Sequence, residues 1–303
     1  MKFKIIGKEE LKENYNKYLA LYKSCFSGEQ SIEELKWRYG DNPYNEVVIA
    51  VVEYNNEWIS LYATTTKFLL SGGKQYKIAL GLNTMTHPNY NGQGLFVKIT
   101  KYIQGELFKK GFHAIIGFPN HLSGPIYRKD IGWKIIYEVP TLELLYTDLE
   151  KGIQRILRYT SESYNDGKDT KLYKISKDKD YLNWRYIHNF SGAYKIIYSK
   201  SGDSFFVVKK YLDLLNIVDY EFVSVGELIE LFVKIQELKI DGINRITIWV
   251  SNFLESHFLF EKMGFLNNRP ITYFGVNKLS NELSDGIYDF RNWHITMGDD
   301  NVY

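Results

Sequence analysis

A chain of 303 residues with 45% hydrophobic and 24% charged side chains has ordinary globular composition, long enough for one large domain or two of average size. Its net charge of +2 comes from Lys and Arg spread along the chain, so no basic tract argues for nucleic acid or an anionic membrane surface. One cysteine, Cys25, rules out an intramolecular disulfide, and six histidines form no His/Cys pair at structural zinc spacing, so no metal is expected. Cys25 itself reads as an inert, buried thiol. The longest fully apolar run, Val47 to Val52, falls far short of the ~20 residues a membrane helix needs, and Met1 to Gly7 is too poor in apolar residues for a secretory signal. A cytoplasmic location is expected.

Taken in chain order, the first half reads as helix (Glu9 to Ser24), short helix (Ile32 to Tyr39), three strands (47–53, 57–68, 75–86), helix (Gln93 to Lys110), strand (His113 to Gly117), helix (Leu122 to Lys129) and strand (Trp133 to Leu145). Strands flank each of the last two helices, which predicts a mixed sheet: an antiparallel meander leading into a parallel step. Leu149 to Arg158 reads as a linking helix and Ser161 to Thr170 as an exposed loop near a boundary. The second half offers strand (172–175), helix (178–187), strands (193–199, 204–211, 215–223), helix (Val225 to Lys239), strand (Arg245 to Val250), helix (Leu254 to Met263) and strand (Ile271 to Lys278). The order of elements is the same, which divides the chain into domains 1–147 and 148–303.

Internal repeats support that division. Leu35-Lys36-Trp37-Arg38-Tyr39 is echoed by Leu182-Asn183-Trp184-Arg185-Tyr186 at an offset of 147 residues, and Asn42 and Asn189 follow each copy at the same distance. Further on, Asn120 to Gly132 corresponds to Asn252 to Gly264 at an offset of 132 residues. Duplication favours a structural role for the Trp-Arg-Tyr copies, with tryptophan packed beneath the sheet and arginine tied to a carboxylate.

The most informative stretch is the strand from Leu82 to Thr86 that breaks at His87-Pro88 into Asn89-Tyr90-Asn91-Gly92-Gln93-Gly94 and enters a helix at Leu95-Phe96. Glycines let successive N–H groups turn inward, and the helix adds its positive N-terminal end, so a pyrophosphate can be held without a lysine. No Gly-Lys-Ser/Thr follows, which excludes a Walker loop, and no Gly-x-Gly-x-x-Gly follows a first strand, which excludes a dinucleotide fingerprint.

Strand, Pro, Tyr-x-Gly-x-Gly and helix resemble the acetyl-CoA loop of the GNAT N-acetyltransferases, whose pattern is Gln/Arg-x-x-Gly-x-Gly/Ala. Here the six positions are Asn91, Gly92, Gln93, Gly94, Leu95 and Phe96. Gly94 matches, Asn91 replaces the basic or amide residue, and Phe96 replaces the last small one. A second segment, Asn120 to Trp133, resembles the family's pantetheine-contacting Asn, followed seven residues later by a Tyr facing the CoA sulfur, here Tyr127, and then Gly-Phe, here Gly132-Trp133 with one extra residue.

The resemblance implies an α/β fold of two GNAT-like domains in tandem, each a mixed sheet flanked by helices, with acetyl-CoA as cosubstrate. It implies that a substrate amine attacks the thioester directly in a ternary complex. The loop from Asn91 to Phe96 would hold the pyrophosphate, and main-chain groups of Met85 and Thr86, next to the family's bulged fourth strand, would bind pantetheine and polarise the carbonyl. Asn120 would touch the pantetheine arm and Tyr127 would protonate the leaving thiolate.

The general base is not legible. His121 and Asp41 are candidates, His87 reads as a turn residue, and the terminal run suggests Asp299, Asp300 or a Tyr303 carboxylate, because in some tandem GNAT enzymes that acetylate aminoglycosides the chain terminus enters the site. In the second half, Ser224-Val225-Gly226-Glu227 has no Gly-x-Gly and puts an acidic residue in the first helical turn, while Phe260 stands where the tyrosine would be. One cofactor per chain follows, with the second domain shaping the acceptor cleft. The acceptor expected is a small-molecule amine, such as an amino sugar or aminoglycoside, with no nucleic-acid or membrane partner; homo-oligomerisation stays open. The alternatives are a Fem-type aminoacyl transferase and a non-catalytic acyl-CoA sensor or scaffold.

Overall fold

The computed structural model describes every residue except Asn45, Leu122, 159–170 and 301–302, and at 269–271 the backbone alone. The loop expected at Ser161 to Thr170 therefore lies outside the described residues. The chain opens with β1 (Lys2–Ile6), a strand that the sequence pattern did not reveal because only Ile6 is fully buried. The first long helix is split into α1 (Lys8–Glu13) and α2 (Tyr15–Cys25) at Asn14, whose side-chain amide donates to the Glu10 carbonyl at 2.8 Å. An Asn that bonds back to the main chain competes with helix continuation. Next come α3 (Ile32–Leu35), capped by the Ser31 hydroxyl, and a wide helical turn over Lys36–Gly40.

The meander is β2 (Val47–Tyr54), β3 (Glu57–Ser71) and β4 (Lys74–Thr86). Its first hairpin turns at Asn55 and Asn56, both at positive φ, as a two-residue hairpin turn requires. Then follow α4 (Leu95–Lys109), β5 (Ala114–Gly117), α5 (Gly124–Asp130), β6 (Lys134–Leu145) and the linking helix α6 (Leu149–Leu157). The second half repeats the pattern with β7 (Tyr173–Ile175), α7 (Lys179–Leu182) with a second wide turn at Asn183–Ile187, β8 (Tyr194–Tyr198), β9 (Phe205–Tyr211), β10 (Leu214–Glu221), α8 (Val225–Glu237), β11 (Arg245–Trp249), α9 (Glu255–Met263), β12 (Leu266–Lys278) and β13 (Trp293–His294).

Among the described residues all 13 strands belong to one sheet, whose main path runs β1-β2-β3-β4-β5-β12-β6-β11-β10-β9-β8. This order differs from two side-by-side sheets: the halves exchange their last strands. The end of β12 pairs with β5, from Gly275 opposite Gly117 to Lys278 opposite Ala114, while the end of β6 pairs with β11, from Thr141 opposite Trp249 to Leu145 opposite Arg245. β6 and β12 also pair with each other, antiparallel, at the centre.

Helices α4 and α5 cover one face of the first half through Leu95, Ile99, Ile103, Leu107 and Tyr127, and α1 and α2 cover the other through Leu11, Tyr18 and Leu21. Helices α6, α8 and α9 close one face of the second half through Ile153, Leu231, Phe232 and Phe260. A further core spans both halves, where β7, β13 and Met297 pack on β3, β4, β5, β10, β11 and β12. The Trp-Arg-Tyr copies meet at the junction. Trp37 and Trp184 stack at 5.2 Å and 20°, and each indole N–H donates to the other's carbonyl, at 2.9 and 2.8 Å. Such reciprocity marks a pseudo-twofold axis between the halves.

Candidate functional site

In the first half, β4 and β5 run parallel only from Ile78 opposite Ala114 to Leu80 opposite Ile116, and then separate. Opposite β3, the register of β4 shifts between Gly81 and Thr84, a bulge of one extra residue. The separated strands, with α5, enclose a cleft of about 380 Å³ lined by Tyr62, Leu82, Asn83, Thr84, Phe96, Phe118, Asn120 and Tyr127 among others. None of its described lining residues is a carboxylate, histidine or lysine.

The loop beyond β4 is open. His87 Nδ1 accepts from the Asn89 N–H at 3.2 Å, the turn role expected of it, and Pro88–Tyr90 form one tight turn. Asn91, Gly92, Gln93 and Gly94 are exposed, with φ of +77° at Gly92 and +68° at Gly94, conformations that disfavour any side chain. Gly94 is the helix cap and supplies no side-chain bond, so the first N–H groups of α4 face outward uncapped. Leu95 is buried in the core and Phe96 turns its ring edge-on to Tyr127 at 5.5 Å. Lys98, one turn further, bonds back to the Gln93 carbonyl at 3.2 Å and adds positive charge beside these amides.

Tyr127 is 7% exposed, and its hydroxyl donates to Tyr62 at 3.4 Å. Burial pushes its phenol up from the usual value, while the Tyr62 and Thr84 hydroxyls act the other way. Its position is set from below. Gly117 and Gly275 are register partners, and Trp133 lies across both, within 3.4 and 3.0 Å of where their Cβ atoms would stand. Trp133 in turn packs against Tyr127 at 4.7 Å. Gly81 has a related function, since a Cβ there would meet the Tyr62 hydroxyl at 2.6 Å.

Thus the structure brings Tyr127, Phe96 and Asn120 to one cleft that is continuous with the loop. Asn120 is exposed at its rim and its Oδ1 accepts from the Ser123 N–H at 2.9 Å. Met85 is the exception. Its side chain is buried on the α2 side and its carbonyl accepts the Ser60 hydroxyl at 2.9 Å. The His87 N–H bonds the Ile59 carbonyl, which fixes the alternation along β3 and β4: main-chain groups of Met85 face β3, and those of Thr84 and Thr86 face the open edge. Thr84 therefore replaces Met85 beside Thr86. The Thr86 carbonyl is partly taken, by the half-buried Cys25 thiol at 3.3 Å.

The candidate bases do not line the cleft. Asp41 and His121 are exposed elsewhere. Asp299 is buried 3.0 Å from Lys177, which also bridges Asp219 at 2.6 Å. Burial works against the Lys177 charge, but these two carboxylates outweigh it and raise its pKa. Arg185 donates to the oxygen of Tyr303, the last residue of the sequence, and to the Asp300 carbonyl at 3.2 Å, while Arg38 pairs with Glu34. Residues 293–299 are mostly buried, unlike a loose tail.

Sequence reasoning missed Tyr62, Thr84, Phe118 and Trp133 in this cleft. They reach it from two strands and two loops, and no local spacing connects them. Lys98 could have been found, since it follows Gly94 by one helical turn.

Residues 9–136 match the family model of the acetyltransferase (GNAT) domain. That stretch contains the loop, the cleft and Tyr127, and it defines the class: the protein is an acyltransferase with a GNAT domain. The chain shares its fold with several solved structures. A probable N-acyltransferase from Enterococcus faecalis V583 superposes with a TM-score of 0.68 at 16% identity, covering 92% of this chain and 72% of that one. A GCN5-related N-acetyltransferase from Kribbella flavida gives 0.65 at 13%, covering 91% and 71%, and Eis1 from Mycobacterium abscessus gives 0.58 at 11%, covering 92% and 74%. No curated protein matches the sequence. No described helix is long and apolar enough to cross a membrane.

Proposed function

We propose that this protein is an acetyl-CoA-dependent N-acetyltransferase that acts on the amine of a small molecule within a ternary complex. The observation that carries the reading is the cleft between β4 and β5, with exposed amides at 91–94 beside it and the Tyr127 hydroxyl in its wall. The residues fit the donor. Uncapped N–H groups at the start of α4, with Lys98, suit a diphosphate. An uncharged, partly aromatic channel suits the pantetheine arm, and main-chain groups of Thr84 and Thr86 on the open edge suit its amides.

Bound donor would supply an activated thioester. The acceptor nitrogen forms the new C–N bond as the C–S bond breaks, and Tyr127 gives its proton to the departing sulfur; with a thiol pKa of ~8.5 below that of the phenol the transfer is uphill and must accompany bond breaking, after which water restores the proton of Tyr127. With no carboxylate in the described lining, the proton lost by nitrogen passes to water. Residues 1–147 form the donor-binding domain in this reading and 148–303 the one that shapes the acceptor side, in a cytoplasmic protein.

Calorimetry with acetyl-CoA, followed by thiol release across a panel of amines, tests the proposal. One site per chain and amine-dependent release are expected. A protein that ignores acetyl-CoA at millimolar concentration removes the reading altogether.

A further inference from the structure

Tyr127 has a second phenol beside it, and that phenol has no acceptor for its own proton among the described residues. Tyr62 stands on β3 opposite Thr84, at the edge of the bulge in β4, and reaches the wall of the cleft on the side that α4 and α5 cover. It is 1% exposed, and its oxygen accepts from the Tyr127 hydroxyl at 3.4 Å. That is longer than a settled bond of ~2.8 Å between hydroxyls, and catalytic hydrogen bonds often tighten only once substrate is bound. Its path crosses β4 at Gly81, where a Cβ would meet the hydroxyl at 2.6 Å. Gly81 is not in left-handed backbone, so its missing side chain provides space and not conformational freedom.

The second half shows the same coupling in reverse. Thr64 opposite Gly81 borders the register shift between β3 and β4, and Val208 opposite Ile217 borders the one between β9 and β10. Two residues before Thr64 stands Tyr62; two residues before Val208 stands Phe206, which packs against Phe232 at 5.1 Å. With no hydroxyl to house, Ile217 occupies the place of Gly81, and Phe260 that of Tyr127. The glycine and both hydroxyls thus occur together beside the open cleft, and none of the three occurs beside the filled one. The chemistry gives a reason. Once Tyr127 has released its proton, a phenolate remains in a mostly apolar wall, where a charge is poorly solvated unless a donor faces it. Burial, then the neighbouring Tyr127, push the Tyr62 phenol well above its ordinary range, so Tyr62 keeps its proton and serves as that donor. Thr84 Oγ1, buried and without a hydrogen bond of its own, also acts to lower the Tyr127 pKa.

We propose that Tyr62 is the positioning residue of the acid: it accepts the Tyr127 hydroxyl at rest, and during transfer it donates to the Tyr127 oxygen while Tyr127 turns its own proton to sulfur. Both hydroxyls are single-bond rotors, so the reversal needs no movement of the backbone. As the C–S bond breaks, the proton passes from the Tyr127 oxygen to sulfur. Tyr62 keeps its proton throughout and holds the phenolate by a charge-assisted bond. Water then returns one proton to Tyr127, matching the one that nitrogen gave to water. This role rests on the acetyl-transfer reading.

The test is a double-mutant cycle in thiol-release assays, with acetyl-CoA and whichever amine of a test panel the wild-type chain uses fastest. Tyr62→Phe keeps the ring and removes the hydroxyl. It should lower kcat by about tenfold or more, the scale of a hydrogen bond to a charged group, and leave the KM for acetyl-CoA unchanged. In the Tyr127→Phe background the same change should move the residual turnover by less than about twofold, because no phenolate forms there. Packing damage would lower both backgrounds alike. Gly81→Ala should reproduce the loss in kcat by displacing the Tyr62 hydroxyl. It should also lower the melting temperature of the wild-type chain more than that of Tyr62→Phe, which lacks the clashing atom; that measurement needs no catalysis. Equal kcat for Tyr62→Phe and wild type, or an equal loss in both Tyr127 backgrounds, overturns the role of Tyr62 and leaves acetyl transfer standing. A wild-type chain that releases no thiol with any amine overturns the acetyl-transfer reading, and the role falls with it.

Discussion

From the Trp-Arg-Tyr turn to the last long strand the two halves hold the same elements in the same order, yet one has a cleft where the other has a core. At the start of α4 the cap is Gly94 in a left-handed conformation and the amides are bare; at the start of α8 the Ser224 hydroxyl accepts from the Glu227 N–H at 3.2 Å, and the Glu227 carboxylate bonds Ser201 and Ser204. In the first half Tyr127 lines an open space. In the second, Phe260 is fully buried and packs edge-on against Tyr220, Phe222, Phe232 and Phe265. β10 keeps a register shift opposite β9, between Ile217 and Asp219, much as β4 does opposite β3. The same backbone irregularity thus occurs beside an open cleft and inside a closed core, because a few side chains suffice to fill the space.

The comparison breaks most sharply at the tyrosine. Tyr127→Phe should lower turnover by ~10²-fold or more, the range of general acid catalysis, with the KM for acetyl-CoA nearly unchanged. The mirror change, Phe260→Tyr, should give no second activity and should cost about 1–3 kcal/mol in chemical denaturation, because the added hydroxyl is buried without a partner. Equal turnover of Tyr127→Phe and wild type in steady-state assays would remove the tyrosine from the chemistry.

The glycines come next. Gly94→Ala and Gly264→Ala each force a side chain into left-handed backbone, at φ of +68° and +104°, for about 1–2 kcal/mol. For Gly94 the loss should appear as weaker acetyl-CoA binding in calorimetry. For Gly264, which also faces the Arg155 guanidinium, it should appear only as a lower melting temperature.

Acid separates the halves in a different way. His294 borders a cavity of about 320 Å³ in the second half, and burial, then Lys174 and Lys177, push its ring down to about 3. The unfolded chain therefore takes up this proton first, at pH near 6.5, so stability should fall as pH drops from there toward 3. The slope cannot exceed about 1.4 kcal/mol per pH unit, the limit for a single proton, and His294→Asn should flatten it. Smallest of all, Ser224→Ala should cost about 1 kcal/mol as a lost helix cap and leave acetyl-CoA binding untouched. Weakened binding in that variant would mean that the second half also contributes to the donor site.

Much of this was legible in the sequence, for local reasons. Gly92, Gly94, Asn120 and Tyr127 sit in two short segments whose spacing is set by a turn and one helix, and Ser224 and Phe260 announce by residue type that the second site is closed. The exchange of β6 and β12 was not legible, because each reads as the last strand of its half and no local pattern names the partner sheet. Met85 failed for a similar reason: which residues of β4 face the open edge depends on a register with β3 and a bulge, and a shift of one residue reverses every direction. β1 was invisible because it lies at the sheet edge, with most of its side chains in contact with solvent.

The exchanged strands also carry a consequence for how the molecule can be divided. Cut between 147 and 148, each fragment would keep a strand that completes the other's sheet and lack the one that completes its own. Neither piece should behave as an autonomous folding unit, yet the two made together should find each other and restore the enzyme, as in split-protein complementation. A half whose cleft is closed is thereby retained as an obligate partner of the half whose cleft is open.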